Sequence, residues 1–296
     1  MKVLNIGSMN LDYVYSVDHI IAPGETQATY GMNVFLGGKG INQSIALAKA
    51  GVDIYHGGMI GEDGQVFLDA CREHGVHDEF IRTIDEKTGH TIIQVDKDAQ
   101  NCILLFGGAN QSLTEEYIDE VLEHFEAGDI LLLQNEVNKL DYIIDRAYDR
   151  KLVIALNPSP YNEKIEVCDL SKISIFLLNE IEGAQITGLT EPDDILASMR
   201  KRFPEAKIVL TLGKDGARYS DKDCEYEQPI FPVKAVDTTA AGDTFTGYFI
   251  AATIEGRSIQ EALRMAAKAS SIAVSRPGAT PSIPEAEEVK KELEIL

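Results

Sequence analysis

The stretch "DILLLQNEVNKLDYIIDRAYDRKLVIALNP", residues 129–158, decides the fold class. Its ends, DILLLQ (129–134) and LVIAL (152–156), are nearly continuous in Leu, Ile and Val rather than alternating with polar residues. Strands read this way when both of their faces are covered, as in a parallel sheet. A helical stretch, 138–150, joins the two runs into a strand–helix–strand unit. The same kind of run recurs outward at KVLNI (2–6), SIFLLN (174–179) and KIVLTL (207–212). Helical stretches at 112–127, 180–187 and 192–203 separate them. This alternation predicts a three-layer α/β domain.

Polar residues follow each apolar run: Asn10 and Asp12, Asn135 and Glu136, Asn157, Asn179, and Thr211 with Gly213. Ligands in open α/β sheets bind at the carboxyl ends of the strands, so these residues predict a shared cleft. Two segments break the rhythm. Residues 13–35 have no helical period and carry a Pro-Gly turn at 23–24, and residues 88–106 read as a hairpin. Both are rich in β-branched and aromatic residues. They predict a small β lid (13–35 and 88–106) over an α/β domain made of 1–12, 36–87 and 107–296. A second apolar face on such a lid would be covered by a lid from another subunit, giving a homodimer.

The formal charge of −21 repels nucleic-acid backbones and anionic membrane surfaces, and it repels nucleotide phosphates as well. A phosphate site must then be local, made of helix N-termini, glycine amides and a metal ion. The four cysteines, Cys71, Cys102, Cys168 and Cys224, form no C-x-x-C pair, which fits reduced thiols in a cytoplasmic protein. His74 and His77 could share a helix face, with two solvated histidines as the plainer reading. The start, MKVLNIGSMNLDYVY, has no apolar run of signal-peptide length, and no window has the length of a membrane span.

Two glycine-softened helix starts stand out. In DTTAAGDTFTGYF (237–249) apolar residues at Phe245, Tyr248, Phe249 and Ala252 follow helical spacing, and Gly256 is placed to end the helix. Small residues before a helix N-terminus let an anion approach unpaired N–H groups. A capping role would account for Asp243, but not for Ala-Ala-Gly before it or for Asp237 six residues earlier. The second start is GGKGINQSIALAKAG (37–51), closed by Gly51. It is not a P-loop, because Asn33 stands where the first Gly belongs and Gly40 where Ser or Thr belongs. Nor is it a dinucleotide fingerprint, because Gln43 replaces the last Gly.

Together these segments resemble the two signatures of the ribokinase-type, or phosphofructokinase-B type, carbohydrate kinases. The resemblance extends in register to SMNLD, ALNPSP, NEIEGAQITG, TLGKDGA and RPGATPSIP, and covers nearly the whole chain. It implies a Rossmann-like α/β/α sandwich with a β lid, and ATP- and Mg²⁺-dependent phosphorylation of a sugar hydroxymethyl group. By resemblance Asp243 is the catalytic base, and the amides of Ala240, Ala241, Gly242 and Asp243 form the anion hole. Asn10, Asp12, Gly38, Lys39, Asn42, Glu136 and Asp243 match the sugar-binding set. Asn179 and Glu182 match an N-x-x-E element that helps place Mg²⁺ and phosphate, and Thr211, Gly213 and Gly216 lie in the turn that meets the nucleotide. Asp237, Thr239, Ala273, Arg276, Gly278 and Ser282 match the family's potassium positions. Ala267 departs from the pattern, since a polar residue can stand near the adenine there.

A substrate that already carries a phosphate needs basic residues to hold it. Residues 3–38 contain no Lys or Arg, and 88–106 contain only Lys97, so an unphosphorylated sugar is expected, ribose first. Tyr13, Tyr15 and Phe106 could form an apolar slot for a base, which keeps a nucleoside kinase open beside a fructose-like sugar kinase. A sugar-binding regulator without activity is the reading from another class. Thr88, His90 and Thr91 sit on the lid without an assigned direction, and His90 reads as a solvated residue.

Overall fold

A computed structural model describes residues 1–98 and 100–294. The first half of the chain holds β1 (Val3–Ile6), β2 (Asn10–Ser16), β3 (Gly31–Gly37), α1 (Lys39–Lys49), β4 (Ile54–Ile60), α2 (Gln65–His74) and β5 (His77–Thr83). It continues through β6 (Gly89–Val95), β7 (Asn101–Phe106), α3 (Glu115–Leu122), β8 (Ile130–Gln134) and α4 (Leu140–Asp149). The second half holds β9 (Val153–Asn157), α5 (Glu163–Glu166), β10 (Ile175–Asn179), α6 (Glu180–Thr187) and α7 (Pro192–Arg202). It ends with β11 (Lys207–Thr211), β12 (Ala217–Ser220), β13 (Glu225–Gln228), α8 (Ala241–Ile254), α9 (Ile259–Val274) and α10 (Ala286–Glu292).

Nine strands form one sheet in the order β13-β12-β11-β10-β9-β8-β1-β4-β5. Neighbours from β11 to β5 are parallel, and β12 and β13 are antiparallel additions at one edge. The five apolar runs are its central strands. Alternate residues face two separate cores: Val3, Ile130, Leu132, Ala155 and Val209 meet α1, α8 and α9, while Leu4, Leu131, Leu133, Leu156 and Leu210 meet α3, α4, α6 and α7. Helices on both faces make this a three-layer α/β/α sandwich, and two-sided burial explains the absence of a polar period. The chain winds from β1 outward to β5, then returns to β8 and winds the other way. The switch between β1 and β8 is where such sheets open a crevice at their carboxyl ends.

Several elements escaped the sequence reading. In β4 the run IYHGGMI is broken by glycines, yet it is buried from His56 to Ile60. A Cβ on Gly58 would lie 2.8 Å from Met9 Cε and 2.9 Å from the Gly7 carbonyl oxygen, so packing excludes the side chain that would have marked a strand. The antiparallel pair β12–β13 is masked by charge: Arg218 donates to Glu227 across it and to Asp193 on α7. Helix α3 starts later than its expected span because Thr114 caps it, accepting from Tyr117 N at 3.2 Å, and it ends earlier, at Leu122. His74 and His77 do not share a helix. Gly75, at φ 73°, ends α2 between them, and His77 opens β5, stacked on Tyr55 and bonded to Asp53 at 2.8 Å.

A second sheet has the order β3-β2-β6-β7, with β2 and β6 parallel at its centre. Its strands begin at Asn10 and run on to Gly37, wider than the 13–35 segment on both sides. The Pro-Gly turn is of type II, with Gly24 at φ 85° and Glu25 N donating to Ala22 O at 3.1 Å. Among the described residues no helix is long and apolar enough to cross a membrane.

Candidate active site

The β1–β8 crevice is floored by the start of α1. Gly38 leads into the helix at φ 99°, with no side-chain cap. The first amides of α1 are instead taken up by distant groups. Lys39 N donates to Glu136 Oε2 at 3.0 Å, Gly40 N to Ser8 Oγ at 3.3 Å, and Ile41 N to Ser8 O at 3.0 Å. The Ser8 hydroxyl in turn donates to Glu136 Oε2. This close approach needs glycine: a Cβ on Gly40 would lie 2.3 Å from Ser8 N. The loops after β1 and β8 are thereby tied to one helix end, and Glu136 complements its positive dipole.

Around this floor stand the residues expected to bind sugar. Asp12 accepts from Thr91 Oγ1 at 2.6 Å, and Asn10 Oδ1 accepts from Asn110 Nδ2 at 2.8 Å. Burial lifts the Asp12 carboxyl above its ordinary range, the Thr91 hydroxyl opposes this, and nearby Glu136 adds to it. Lys39 lies amid acidic groups: burial lowers its ammonium, but Asp243, Glu136 and Glu182 outweigh it and the net direction is upward. Asn42 is buried, gives its Nδ2 to Asp243 Oδ2 at 3.1 Å, and leaves its Oδ1 without a partner. Asn135 turns elsewhere, donating to Pro160 O at 2.6 Å and Asn162 Oδ1 at 2.9 Å, so this strand-end residue does not line the crevice.

Helix α8 enters differently. Ala240 adopts the left-handed conformation at φ 58° and offers no side-chain cap. Ala241 N reaches Thr238 O at 3.3 Å, while the Gly242 and Asp243 amides have no acceptor among the described residues. Gly242 is exposed, and a Cβ placed on it would meet nothing within 4 Å. Beside these open donors, Asp243 is 7% exposed, its Oδ1 held by Gln43 Nε2 at 2.9 Å and its Oδ2 by Asn42. The helix start thus carries positive dipole and free N–H groups next to an oriented carboxylate.

The remaining expected residues fall into two groups. Asn179 and Glu182 form a capping box at the start of α6, with Glu182 N to Asn179 Oδ1 at 2.9 Å and Asn179 N to Glu182 Oε2 at 3.0 Å. Thr211 pairs with Asn179 across β10–β11, so both lie at adjacent strand ends. Gly213 (φ 51°) and Gly216 (φ 93°) shape the turn that follows. The second group joins two loops before and after the α8–α9 pair. Asp237 Oδ1 accepts from Thr239 N at 2.9 Å and Oγ1 at 2.6 Å, and its Oδ2 accepts from Gly278 N at 2.9 Å. Burial raises the Asp237 carboxyl, but these donors win and hold it low. Ala273 and Ser282 are buried nearby in the chain, and Ser282 Oγ donates to Ala279 O at 2.7 Å. The Arg276 side chain turns to Glu288. Among the described residues no three His, Cys, Asp or Glu side chains converge as a metal cluster.

On the second sheet, alternation separates two faces. Asp12 and Thr91 share one, while Tyr13, Tyr15, His90 and Ile92 line a hollow of about 330 Å³ on the other with Asp63 and Lys87. His90 packs against Tyr13 and Phe106, with ring centroids 5.9 and 5.0 Å apart, and Nδ1 lies 3.1 Å from Thr88 O. Thr88 is fully buried, bonded to Asp63 at 2.6 Å. The three aromatics considered for a base slot are therefore not on the Asp12 face. Ala267 is half-buried on α9 against the core. Ser8, Gln43, Thr91 and Asn110 belong to the site without having been singled out as such.

The model of the pfkB family of carbohydrate kinases matches residues 1–286. A ribokinase of Haemophilus influenzae is 34% identical over 298 residues, covering 98% of this chain and 97% of its own. Among solved structures, ribokinase from Thermotoga maritima superposes with a TM-score of 0.87 at 32% identity, covering 99% of each chain. Arabidopsis thaliana ribokinase complexed with ribose and ATP gives 0.86 at 31% identity, covering 100% of this chain and 99% of that one. With matches of this extent in sequence and in fold, the chain belongs to the pfkB family of carbohydrate kinases.

Proposed function

We propose that this carbohydrate kinase transfers the γ-phosphate of ATP to a primary hydroxyl of ribose. The observation that carries the reading is the start of α8: two unsatisfied backbone amides beside a carboxylate fixed by Asn42 and Gln43. The amides of Gly242 and Asp243 suit the charge that spreads over a transferring phosphoryl group. Asp243 is placed to accept the proton of the attacking hydroxyl. The unpartnered Asn42 Oδ1 fits a sugar hydroxyl as donor, and Asn10, Asp12, Lys39 and Glu136 offer the mixture of donors and acceptors that a polyhydroxyl ligand requires. Support for ribose and ATP in particular comes from the ligands of the Arabidopsis relative.

The residues present also suit the implied ions. Glu182 and Asn179, whose oxygens are taken up within the capping box, would act on hydrated Mg²⁺ through water, and the ion would neutralise phosphate charge. Asp237, Thr239 and the carbonyls of Ala273, Arg276, Gly278 and Ser282 supply hard oxygens for K⁺ next to the α8 loop. The second sheet acts as a lid. On the face shared with Tyr13 and Tyr15 its strands carry exposed Met32, Val34, Leu104 and Phe106, an apolar surface that suits a second lid in a homodimer. The four cysteines are free thiols, in keeping with a cytoplasmic enzyme.

The test is ADP release by the purified protein with Mg²⁺, K⁺ and a panel of unphosphorylated pentoses, hexoses and nucleosides. The highest kcat/KM is expected for ribose, falling when Na⁺ or choline replaces K⁺. Binding of ribose without turnover would favour the inactive regulator, and preference for a nucleoside would overturn the substrate. Sedimentation equilibrium checks the dimer, which Leu104→Asp should dissociate.

A further inference from the structure

Behind α1 the carboxylate of Asp243 is the end of a buried chain of side-chain amides. Gln43 Nε2 donates to Asp243 Oδ1 at 2.9 Å and to Asn157 Oδ1 at 3.0 Å. Gln43 Oε1 accepts from Gln134 Nε2 at 2.6 Å, and the same Gln134 nitrogen donates to Asn5 Oδ1 at 3.1 Å. Asn5 Nδ2 donates to Gly40 O at 2.7 Å and to Ser44 Oγ at 2.9 Å, and Ser44 Oγ meets His56 Nδ1 at 2.8 Å. Asn5, Gln43, Ser44, His56 and Gln134 are all fully buried.

The direction of this chain is fixed at both ends by groups that cannot turn round. A backbone carbonyl only accepts. Gly40 O therefore makes the Asn5 amide present its nitrogen there and its Oδ1 to Gln134. Leu177 O, accepting from Asn157 Nδ2 at 2.8 Å, likewise leaves Asn157 Oδ1 facing Gln43. Between these two constraints Gln134 must turn its nitrogen to both Asn5 and Gln43, and Gln43 must turn its nitrogen to Asp243. A reversed Gln43 amide would set oxygen against oxygen at Asp243 and at Asn157, and nitrogen against nitrogen at Gln134. The arrangement leaves Gln134 Oε1 buried without a partner, an unfavourable feature of the fold. Room for that oxygen exists because residue 7 is glycine: a Cβ there would lie 2.5 Å from it.

We propose that Gln43 is a positioning residue for the base, and that Gln134, out of reach of any substrate, sets which end of Gln43 faces Asp243. This rests on Asp243 acting as the base. Gln43 is not part of the sugar-binding set and acts only through the carboxylate.

The experiment compares Gln134→Leu and Gln134→Glu, each alone and combined with Asp243→Asn, reading kcat, KM for ribose and thermal midpoint. An ionised carboxylate at 134 sets acceptors against both Asn5 Oδ1 and Gln43 Oε1, which should displace the Gln43 amide from its place on Asp243 and lower kcat by about 10²-fold, as misplacement of a reacting group does. Gln134→Leu removes the orphaned oxygen together with the one donor to Asn5 Oδ1 and Gln43 Oε1, so its thermal midpoint should fall modestly, and it should lower kcat by about tenfold with KM changed by less than about threefold. In the Asp243→Asn background either substitution should change the rate by less than about twofold, because the group it acts through is gone. Wild-type kcat in both variants, or losses that multiply unchanged onto Asp243→Asn, would overturn the proposal. If Gln134→Glu fails to fold, the Gln134→Leu cycle decides alone. Normal turnover by Asp243→Asn would instead remove the base itself, whereas a crippled Asp243→Asn with indifferent Gln134 variants removes only the positioning role.

Discussion

The starts of α1 and α8 look alike in sequence, small residues running into a buried helix, yet their backbone donors have opposite fates. At α1 the amides of Lys39, Gly40 and Ile41 are satisfied by Glu136 and by Ser8, both supplied from the ends of other strands. At α8 the amides of Gly242 and Asp243 find no acceptor among the described residues. One helix end is a structural joint that holds the floor of the crevice together. The other keeps its donors open. The difference teaches that a glycine-rich helix start does not by itself mark an anion site, and that the question is where its N–H groups go.

The largest effect expected from this contrast is at the residue that joins the two helices. Asp243→Asn keeps the size and the bond from Gln43, lets Asn42 turn its free Oδ1 to the new amide nitrogen, and removes the proton acceptor. Steady-state turnover should fall by roughly 10²–10⁴-fold, the usual size of a general-base contribution. Ribose binding by calorimetry should persist. Near-normal turnover would reduce α8 to a helix whose open end has no chemistry.

Two glycine substitutions then set the helices directly against each other. At Gly242 a new side chain meets no protein atom within 4 Å, so Gly242→Val should fold normally. It would crowd the open amides and lower kcat/KM by on the order of 10²-fold, the scale of one lost anion-hole donor. At Gly40 a new Cβ would sit 2.3 Å from Ser8 N and 2.6 Å from Gly7 Cα. Gly40→Ala should lower stability in urea by about 1–3 kcal/mol, as overpacking does. The comparison breaks if Gly242→Val unfolds the protein while Gly40→Ala leaves its stability intact.

How much of this could be read from the sequence depends on what each residue's partners are. The central strands were legible because two-sided burial writes a continuous apolar run into the chain, as in Leu131 to Leu133. β4 was not, because its packing against Met9 and Gly7 demands Gly58 and so deletes the signal. Asp243, Lys39 and Asn42 stood out by their place beside glycine-opened helices. Gln43 was noticed only as the residue that spoils a dinucleotide fingerprint, and Gln134 only as the last letter of an apolar run. Their function lies in hydrogen bonds to residues 91 to 200 positions away, which no local pattern encodes. A polar amide inside an otherwise apolar buried segment was the one available signal.

The last effect in this series separates the two helices by pH. His56 packs under α1, and burial draws its imidazole down from 6.5 to about 4, with only a weak opposing pull from the Gly7 carbonyl. The unfolded chain takes up the His56 proton as pH falls through 6.5, while the folded protein does so only near 4. Stability from the neutral imidazole is therefore complete above pH 6.5 and is lost progressively down to about pH 4. A fall from 6.5 to about 4 corresponds to roughly 3 kcal/mol at most. Carboxylates elsewhere also respond over this range, so the measurement is a difference: urea midpoints of wild type and His56→Asn between pH 7 and pH 4. The wild type should lose more stability than the variant, converging with it in acid, because only the wild type must charge a group beneath the joint at α1. Parallel curves would mean that His56 is not the acid-sensitive point of that joint. The α8 side should then respond no differently from the α1 side, and the asymmetry between the two helix starts would be confined to their amides.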